Sequence, residues 1–420
     1  MIEFREHTLK NGMRLVMSRQ KVIPNVIINT SFRVGSKDEE PEKTGISHLF
    51  EHLMFTGSEN VPQGMFDEIL NANGGESNAF TTQDYTSYYL SIPSTRIELG
   101  MWLDSDRIAS FPVNQESLEI QKKVVLEEKK QVHDNSPFGS LEPESHKRLF
   151  TKSGYRWPII GDEKHVKNFK LEDVKDFFYR YYVPSNTVLT VAGDIDYDET
   201  IRLAEKYYGG IPAVKTNGRP VYEEVPLDSV SEDTIKDNIA LPARFLFYRV
   251  PEAGSKDYYV LKLISAALSS GESSRVYRSL VSGTGTASEA YTLVSGMERA
   301  SIFSFNCFLS EGKNIAEASA IMDDILEDVS ENGLKEEEIV KSVNKVETSY
   351  YFKIQTSLRL AESLSYYKMF FDDCSMINKE VERFRIFDNE TIKKSARQHL
   401  NKGNRVILNY VPKRKRVGND

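Results

Sequence analysis

The sequence is poor in the residues that staple or anchor a chain. Cys307 and Cys374 are the only cysteines. Two thiols give no disulfide framework and no Cys-x-x-Cys metal site, and both are expected as buried, small apolar side chains. No run of about 18 or more apolar residues occurs, which excludes a membrane-spanning helix. The opening "MIEFREHTLKNGMRLV" has no basic stretch leading into an apolar one, so the expectation is a cytoplasmic protein, or a periplasmic one if a signal peptide was removed. An excess of positive charge is missing too. The net charge of −8 argues against nucleic acid as the main partner and suits basic ligands arriving from solution. The basic tail "PKRKRVGND" reads as a solvated terminus. Histidine is scarce, with seven in all.

What is present is a soluble globular composition, 40% hydrophobic and 28% charged, in 420 residues. That length suits two domains of about 200 residues better than one core. The second half repeats the grammar of the first. "SFRVGSKDEE" (31–40) is answered by "FYRVPEAGSKDYY" (247–259), and "LEDVKDFFYRYYVPSNTVLTVAGDID" (171–196) by "NETIKKSARQHLNKGNRVILNYVP" (389–412). Gly35 and Gly254 stand 219 residues apart, and Asn186 and Asn404 stand 218 apart. Two anchors at nearly one offset indicate a duplicated unit. The seam falls in "GGIPAVKTNGRPVYEE" (209–224), where Gly, Pro and Asn-Gly cluster and hydrophobic period is lost. The expected organisation is α+β, with two similar domains, each a mostly antiparallel sheet carrying helices on one face. They cover 1–212, with the catalytic site, and 225–420, without metal ligands, joined by a linker at 213–224.

Two of the seven histidines lie four positions apart in "GISHLFEHLMFTGS" (45–58). Ile46, Leu49, Phe50, Leu53 and Met54 have helical spacing, and Gly57 can end the helix. Positions i, i+3 and i+4 share a helix face, so His48 and His52 can reach one ion, with Glu51 beside them to take a proton from water. This is the zincin order inverted, His-x-x-Glu-His. With so few histidines, a chance match is roughly a one-per-cent event. At the duplication offset the two histidines fall on Ala267 and Gly271, so a need of the common fold does not explain them.

A catalytic zinc takes three protein ligands and keeps a fourth position open. The helix "NQESLEIQKKVVLEEKKQV" (114–132) offers Glu127 and Glu128. Leu118, Val124, Val125 and Val132 define its buried direction, close to Glu128 and nearly opposite Glu127. Glu128 is therefore the third ligand, and Glu127 a solvated residue supported by Lys123 and Lys130. His133, His146 and His165 are the rival ligands, in looser polar contexts.

At this point the chain resembles the pitrilysin/insulinase family of zinc peptidases, which includes the mitochondrial processing peptidases, and among them the short bacterial members. The likeness runs through "TLKNGMRLV", "VGSKDE", "GISHLFEHLMFTGS", "GGESNAFTTQDYTSYYL" and "VVLEEKKQ". It implies one zinc per chain, a peptide substrate and Glu51 as general base. The family spacing from the second histidine admits both Glu127 and Glu128, and its local pattern selects Glu128. The resemblance also implies that an unfolded peptide adds as a strand at Asn78, Ala79, Phe80 and Thr81.

Two departures from the family pattern stand out. Gln121 replaces a second glutamate two turns before the third ligand. In "SSRVYRSLVSGTGTASEAY" (273–291), Val281 and Ser288 occupy the places of an Arg and a Tyr that grip substrate in single-subunit relatives, while Tyr291 is out of register. The loss implies a homologous partner subunit carrying that pair, in a heterodimer, with a homodimer as the variant arrangement. The competing reading is a non-catalytic assembly or scaffold subunit keeping a relic zinc site.

Overall fold

The computed structural model describes residues 1–111, 113–214, 219, 223–225, 227 and 229–413. Most of the expected linker and the basic tail from Arg414 on lie outside the described residues. The strands are β1 (Arg5–Thr8), β2 (Arg14–Arg19), β3 (Asn25–Phe32), β4 (Glu76–Thr81), β5 (Thr86–Pro93), β6 (Thr187–Gly193), β7 (Ser231–Asp237), β8 (Ala243–Val250), β9 (Ala287–Gly296), β10 (Ser301–Leu309) and β11 (Val406–Pro412). The helices used below, in chain order, are α1 (Ile46–Leu53), α2 (Ile97–Ala109), α3 (Gln115–Lys129), α4 (Leu141–Leu149), α5 (Leu171–Tyr181), α6 (Lys256–Ser269), α7 (Ser357–Phe371) and α8 (Asn389–His399).

The first sheet has the order β1-β2-β6-β3-β5-β4, and the second β7-β11-β8-β10-β9. Without β1 the two orders correspond strand for strand. The directions correspond as well: β2 runs parallel to β6, as β7 does to β11, and the remaining neighbours are antiparallel. The α+β duplication is thus present in the topology. Its sequence anchors do the same job twice. Asn186 Nδ2 donates to Tyr181 O, the end of α5, at 2.8 Å and to Arg33 O at 3.3 Å. Asn404 Nδ2 donates to His399 O, the end of α8, at 3.1 Å and to Arg249 O at 3.2 Å. In each unit one amide satisfies a carbonyl at a helix end and another at or just past a strand end, groups that a loop would otherwise leave unpaired.

The compact units interleave rather than follow one another. One comprises Met1–Lys130, Ser153–Tyr222 and Tyr351–Lys379; the other Gln131–Lys152, Glu223–Tyr350 and Glu380–Asp420. The contiguous division into 1–212 and 225–420 therefore departs from the compact units at 131–152 and 351–379. The reason lies in which sheet each segment packs on. Phe138, in the first segment, sets its ring among Phe245, Phe308 and Tyr410, and the Ser140 hydroxyl meets Tyr410 Oη at 2.7 Å just before α4. In the second segment, α7 covers the first sheet. Ala361 packs on Ile27 and Ala192, and Ser365 Oγ donates to Asn29 Oδ1 at 2.7 Å.

That contact also corrects the expectation of helices on one face. Strand β3 is buried on both sides, as its near-continuous burial requires. Val26, Ile28 and Phe32 join the main core, while Ile27 and Asn29 meet α7. Each unit has its own apolar core. Among the described residues no helix is long and apolar enough to cross a membrane.

Candidate metal centre

Helix α1 begins where the chain turns on Gly45, at φ 92°. A Cβ there would come within 2.7 Å of Ile160 O, so glycine is required by space as well as by conformation. Gly45 has no side chain to cap the helix, and Glu39 supplies the cap from outside. Its carboxylate accepts from Gly45 N at 2.8 Å and Ser47 N at 2.9 Å. Leu49, Phe50 and Leu53 are buried and fix the helix by packing. Beyond it, Asp106 of α2 accepts from Asn60 N at 3.0 Å and Nδ2 at 2.6 Å and from the Ser58 hydroxyl, tying down the exit loop.

With α1 held at both ends, His48 and His52 project to one side, their ring centroids 4.8 Å apart. Helix α3 opens with a capping box at Asn114 and brings Glu128 to the same place. Glu128 Oε2 lies 3.2 Å from His52 Nε2 and 3.7 Å from His48 Nε2. One ligand atom from each residue falls within 4.8 Å of the others. A tetrahedral ion with ligands about 2.0–2.2 Å away separates them by about 3.3–3.6 Å. Two imidazole nitrogens and a carboxylate oxygen facing a common point therefore fit a zinc ion in both donor type and spacing.

Glu128, not Glu127, is the glutamate that lies beside the two histidines, but the helix face is narrower than the sequence reading drew it. Leu118 and Val125 are fully buried, but Val124 is 44% and Val132 50% exposed. Helix α3 passes into a π-helical turn at Lys130–Asp134, so Val132 leaves the stripe that straight α-helical counting assigned to it. Glu127 faces solvent and pairs with Lys130 at 3.2 Å. The rival histidines are engaged elsewhere: His133 Nδ1 with Gly139 O at 2.9 Å, His165 Nδ1 with Thr44 Oγ1 at 2.8 Å, and His146 buried against Phe150.

Glu51 lies on the same helix but outside the three-ligand cluster. Its carboxyl accepts from Thr81 Oγ1 at 2.5 Å. Burial pushes its pKa up, and the Thr81 hydrogen bond and His52 work against that rise. Thr81 ends β4, which among the described residues pairs with β5 alone and so forms the edge of its sheet. Asn78, Ala79, Phe80 and Thr81 all lie on this edge. The turn beyond it is fastened to the segment that leads into α1: Ser36 N and Lys37 N donate to Thr82 O and Gln83 O at 3.2 and 3.0 Å. Residues 35–39 thus position both the edge strand and the histidine helix.

Similarity to known proteins extends over most of the chain. Residues 14–163 match the family model described as Insulinase (Peptidase family M16), and residues 168–346 match Peptidase M16 inactive domain. This chain belongs to the insulinase family. The zinc protease PqqE of Helicobacter pylori is 29% identical over 76% of the insulinase-family chain and 72% of its own length. YmxG of Bacillus subtilis, named as an uncharacterized zinc protease, is 25% identical over 84% and 85%. Among solved structures, a protease from Helicobacter pylori superposes with a TM-score of 0.91 at 24% identity, covering 98% of this chain and 100% of its own. A Pseudomonas fluorescens structure titled peptidase M16 inactive domain gives 0.88 at 16%, covering 98% of each. His48, Glu51, His52, Asn78–Thr81 and Glu128 all fall inside the insulinase match.

The second unit lacks the corresponding donors. Ala267 is buried in α6 and Gly271 lies past its end at φ 85°. Val281 packs against the second core, and Ser288 Oγ donates to Phe308 O at 3.3 Å. Tyr291, on β9, stacks with Phe308. Two contributors to the first site had escaped the sequence, the Glu39 cap and the Thr81 hydroxyl. Glu39 had a readable signal: a helix opening on glycine needs an acceptor from elsewhere, and an acid stands six residues before it.

Proposed function

We propose that this chain is the metal-bearing subunit of a zinc metalloendopeptidase that hydrolyses peptides or unfolded segments. The observation that carries the reading is the convergence of His48, His52 and Glu128 beside Glu51 and the free edge of β4. The three clustered residues would hold one zinc ion. Zinc, when bound, supplies Lewis acidity, which polarises a scissile carbonyl and acidifies water. Glu51 takes the proton from the attacking water and returns it to the leaving amine nitrogen. Asn78, Ala79, Phe80 and Thr81 align the peptide as an added strand through backbone hydrogen bonds, which give register with little demand on sequence. Extended substrate is favoured because a folded chain has few free backbone groups to offer.

Val281 and Ser288 leave this chain without an Arg and Tyr at the places where single-subunit relatives carry them. A homologous partner subunit supplies that pair, in a heterodimer. The same observation favours a second reading, a non-catalytic assembly subunit that binds zinc. Zinc analysis and a quenched-peptide assay, on the chain alone and with a homologous partner, separate the two. One zinc per chain with cleavage supports the peptidase, whereas zinc without cleavage across a broad peptide set supports the scaffold.

A further inference from the structure

We propose that Thr81 is a positioning residue, whose hydroxyl holds the Glu51 carboxylate in the orientation that base catalysis requires. The inference rests on the peptidase reading above and adds a role for the side chain of a residue so far considered for its backbone.

The hydroxyl is directed by its surroundings. Thr81 faces Thr86 across the β4–β5 pair. A threonine hydroxyl has one proton to donate. Thr86 commits its proton to Val34 O at 3.0 Å, and its distance to Thr81 Oγ1 is longer, 3.5 Å. Thr81 then gives its own proton to Glu51 Oε2 at 2.5 Å. Thr86 is fully buried, so this end of the chain of contacts has little freedom to rearrange.

Two consequences follow for Glu51. With Oε2 held, Oε1 is the oxygen left to accept a proton, so one of two equivalent atoms is selected. The carboxylate is also kept away from the ligand atoms of His48, His52 and Glu128, whose cluster does not include it. A glutamate free to swing beside two histidines could close the coordination position that water needs. Because the hydroxyl sits on the edge strand, the base is referenced to the element on which the peptide lies, and near-attack geometry depends on such small displacements.

The test compares wild type, Thr81→Val and Thr81→Ser, each zinc-loaded, on one unstructured quenched peptide, alone and with a homologous partner chain. Thr81→Val keeps the volume and loses the proton donor. Its expected kcat is lower by about tenfold to a hundredfold, the usual range for outer-sphere partners, with KM within about twofold and one zinc retained per chain. Thr81→Ser recovers most of that loss. A Thr81→Val enzyme with kcat within about twofold of wild type overturns the role alone. Failure of Thr81→Ser to recover activity, or loss of zinc from Thr81→Val, assigns the effect to packing and also overturns it. A wild-type protein that cleaves nothing in any combination overturns the peptidase reading and this role with it.

Discussion

Glu128 Oε2 lies 3.2 Å from Nε2 of His52, joining the C-terminal turn of α3 to the last turn of α1. The neighbouring glutamate, Glu127, points to solvent and pairs with Lys130. Substituting each in turn makes a sharp comparison. Glu128→Gln is expected to weaken zinc binding by on the order of a hundredfold or more, since a neutral amide replaces an anionic ligand. Glu127→Gln is expected to change it by less than about twofold, as surface pairs contribute little. Competition against a chelator of known affinity measures both.

Zinc binding should also appear in stability. The ligand atoms converge only in the folded chain, so free zinc at about a hundred times Kd is expected to add about 2.7 kcal/mol to the unfolding free energy. His48→Ala and His52→Ala should largely abolish that increment. Coordination uses the unprotonated imidazole, so acid competes with zinc and the increment is expected to shrink at lower pH. Urea titrations with and without zinc at two pH values give the result.

Glu39 predicts a separate pH dependence. Burial pushes its carboxyl up to about 8 from 4.5, against the Ser47 and Gly45 amides, which favour the charged form. A carboxyl raised on folding gives up a proton less readily in the native state than in the unfolded one. Its contribution to stability is therefore greatest below about 4.5 and declines as pH rises from 4.5 to 8. Glu39→Gln cannot titrate, so its stability relative to wild type is expected to rise from pH 5 to pH 8, by on the order of a few kcal/mol. Unfolding free energies of both proteins at those pH values test the sign. An unchanged difference contradicts it.

The repeated asparagines allow a test of the duplication. Asn186→Ala and Asn404→Ala each remove an amide that bonds a helix end and the backbone at a strand end. Each is expected to destabilise by about 1–3 kcal/mol, the cost of leaving the helix-end carbonyl unpaired, since Arg33 O keeps a second donor in Arg219. Similar losses in the two variants, read from chemical denaturation, are the expected outcome.

How legible all this was in the sequence depended on distance along the chain. His48 and His52 were readable because helical geometry places i and i+4 together. Glu128 was readable through Leu118 and Val125, although Val124 is exposed and the π-helical turn takes Val132 off the face that helical counting gave it. That the two sheets share one arrangement followed from the repeat, whereas the strand order itself did not. The crossing of 131–152 and 351–379 between units did not, because nothing local tells Phe138 or Ala361 which sheet it will cover. The Thr81–Glu51 bond is likewise non-local, a strand hydroxyl meeting a helix carboxylate.

The most direct test of the central claim is the cleavage rate of Glu51→Gln beside wild type, with zinc content determined on the same samples. Glu51 touches Thr81 and stands outside the ligand cluster, so its amide variant should keep one zinc per chain. The account predicts retained zinc with cleavage lowered by at least about a hundredfold, in the presence of whichever partner chain wild type needs. A Glu51→Gln protein that holds zinc and cleaves at the wild-type rate would contradict it.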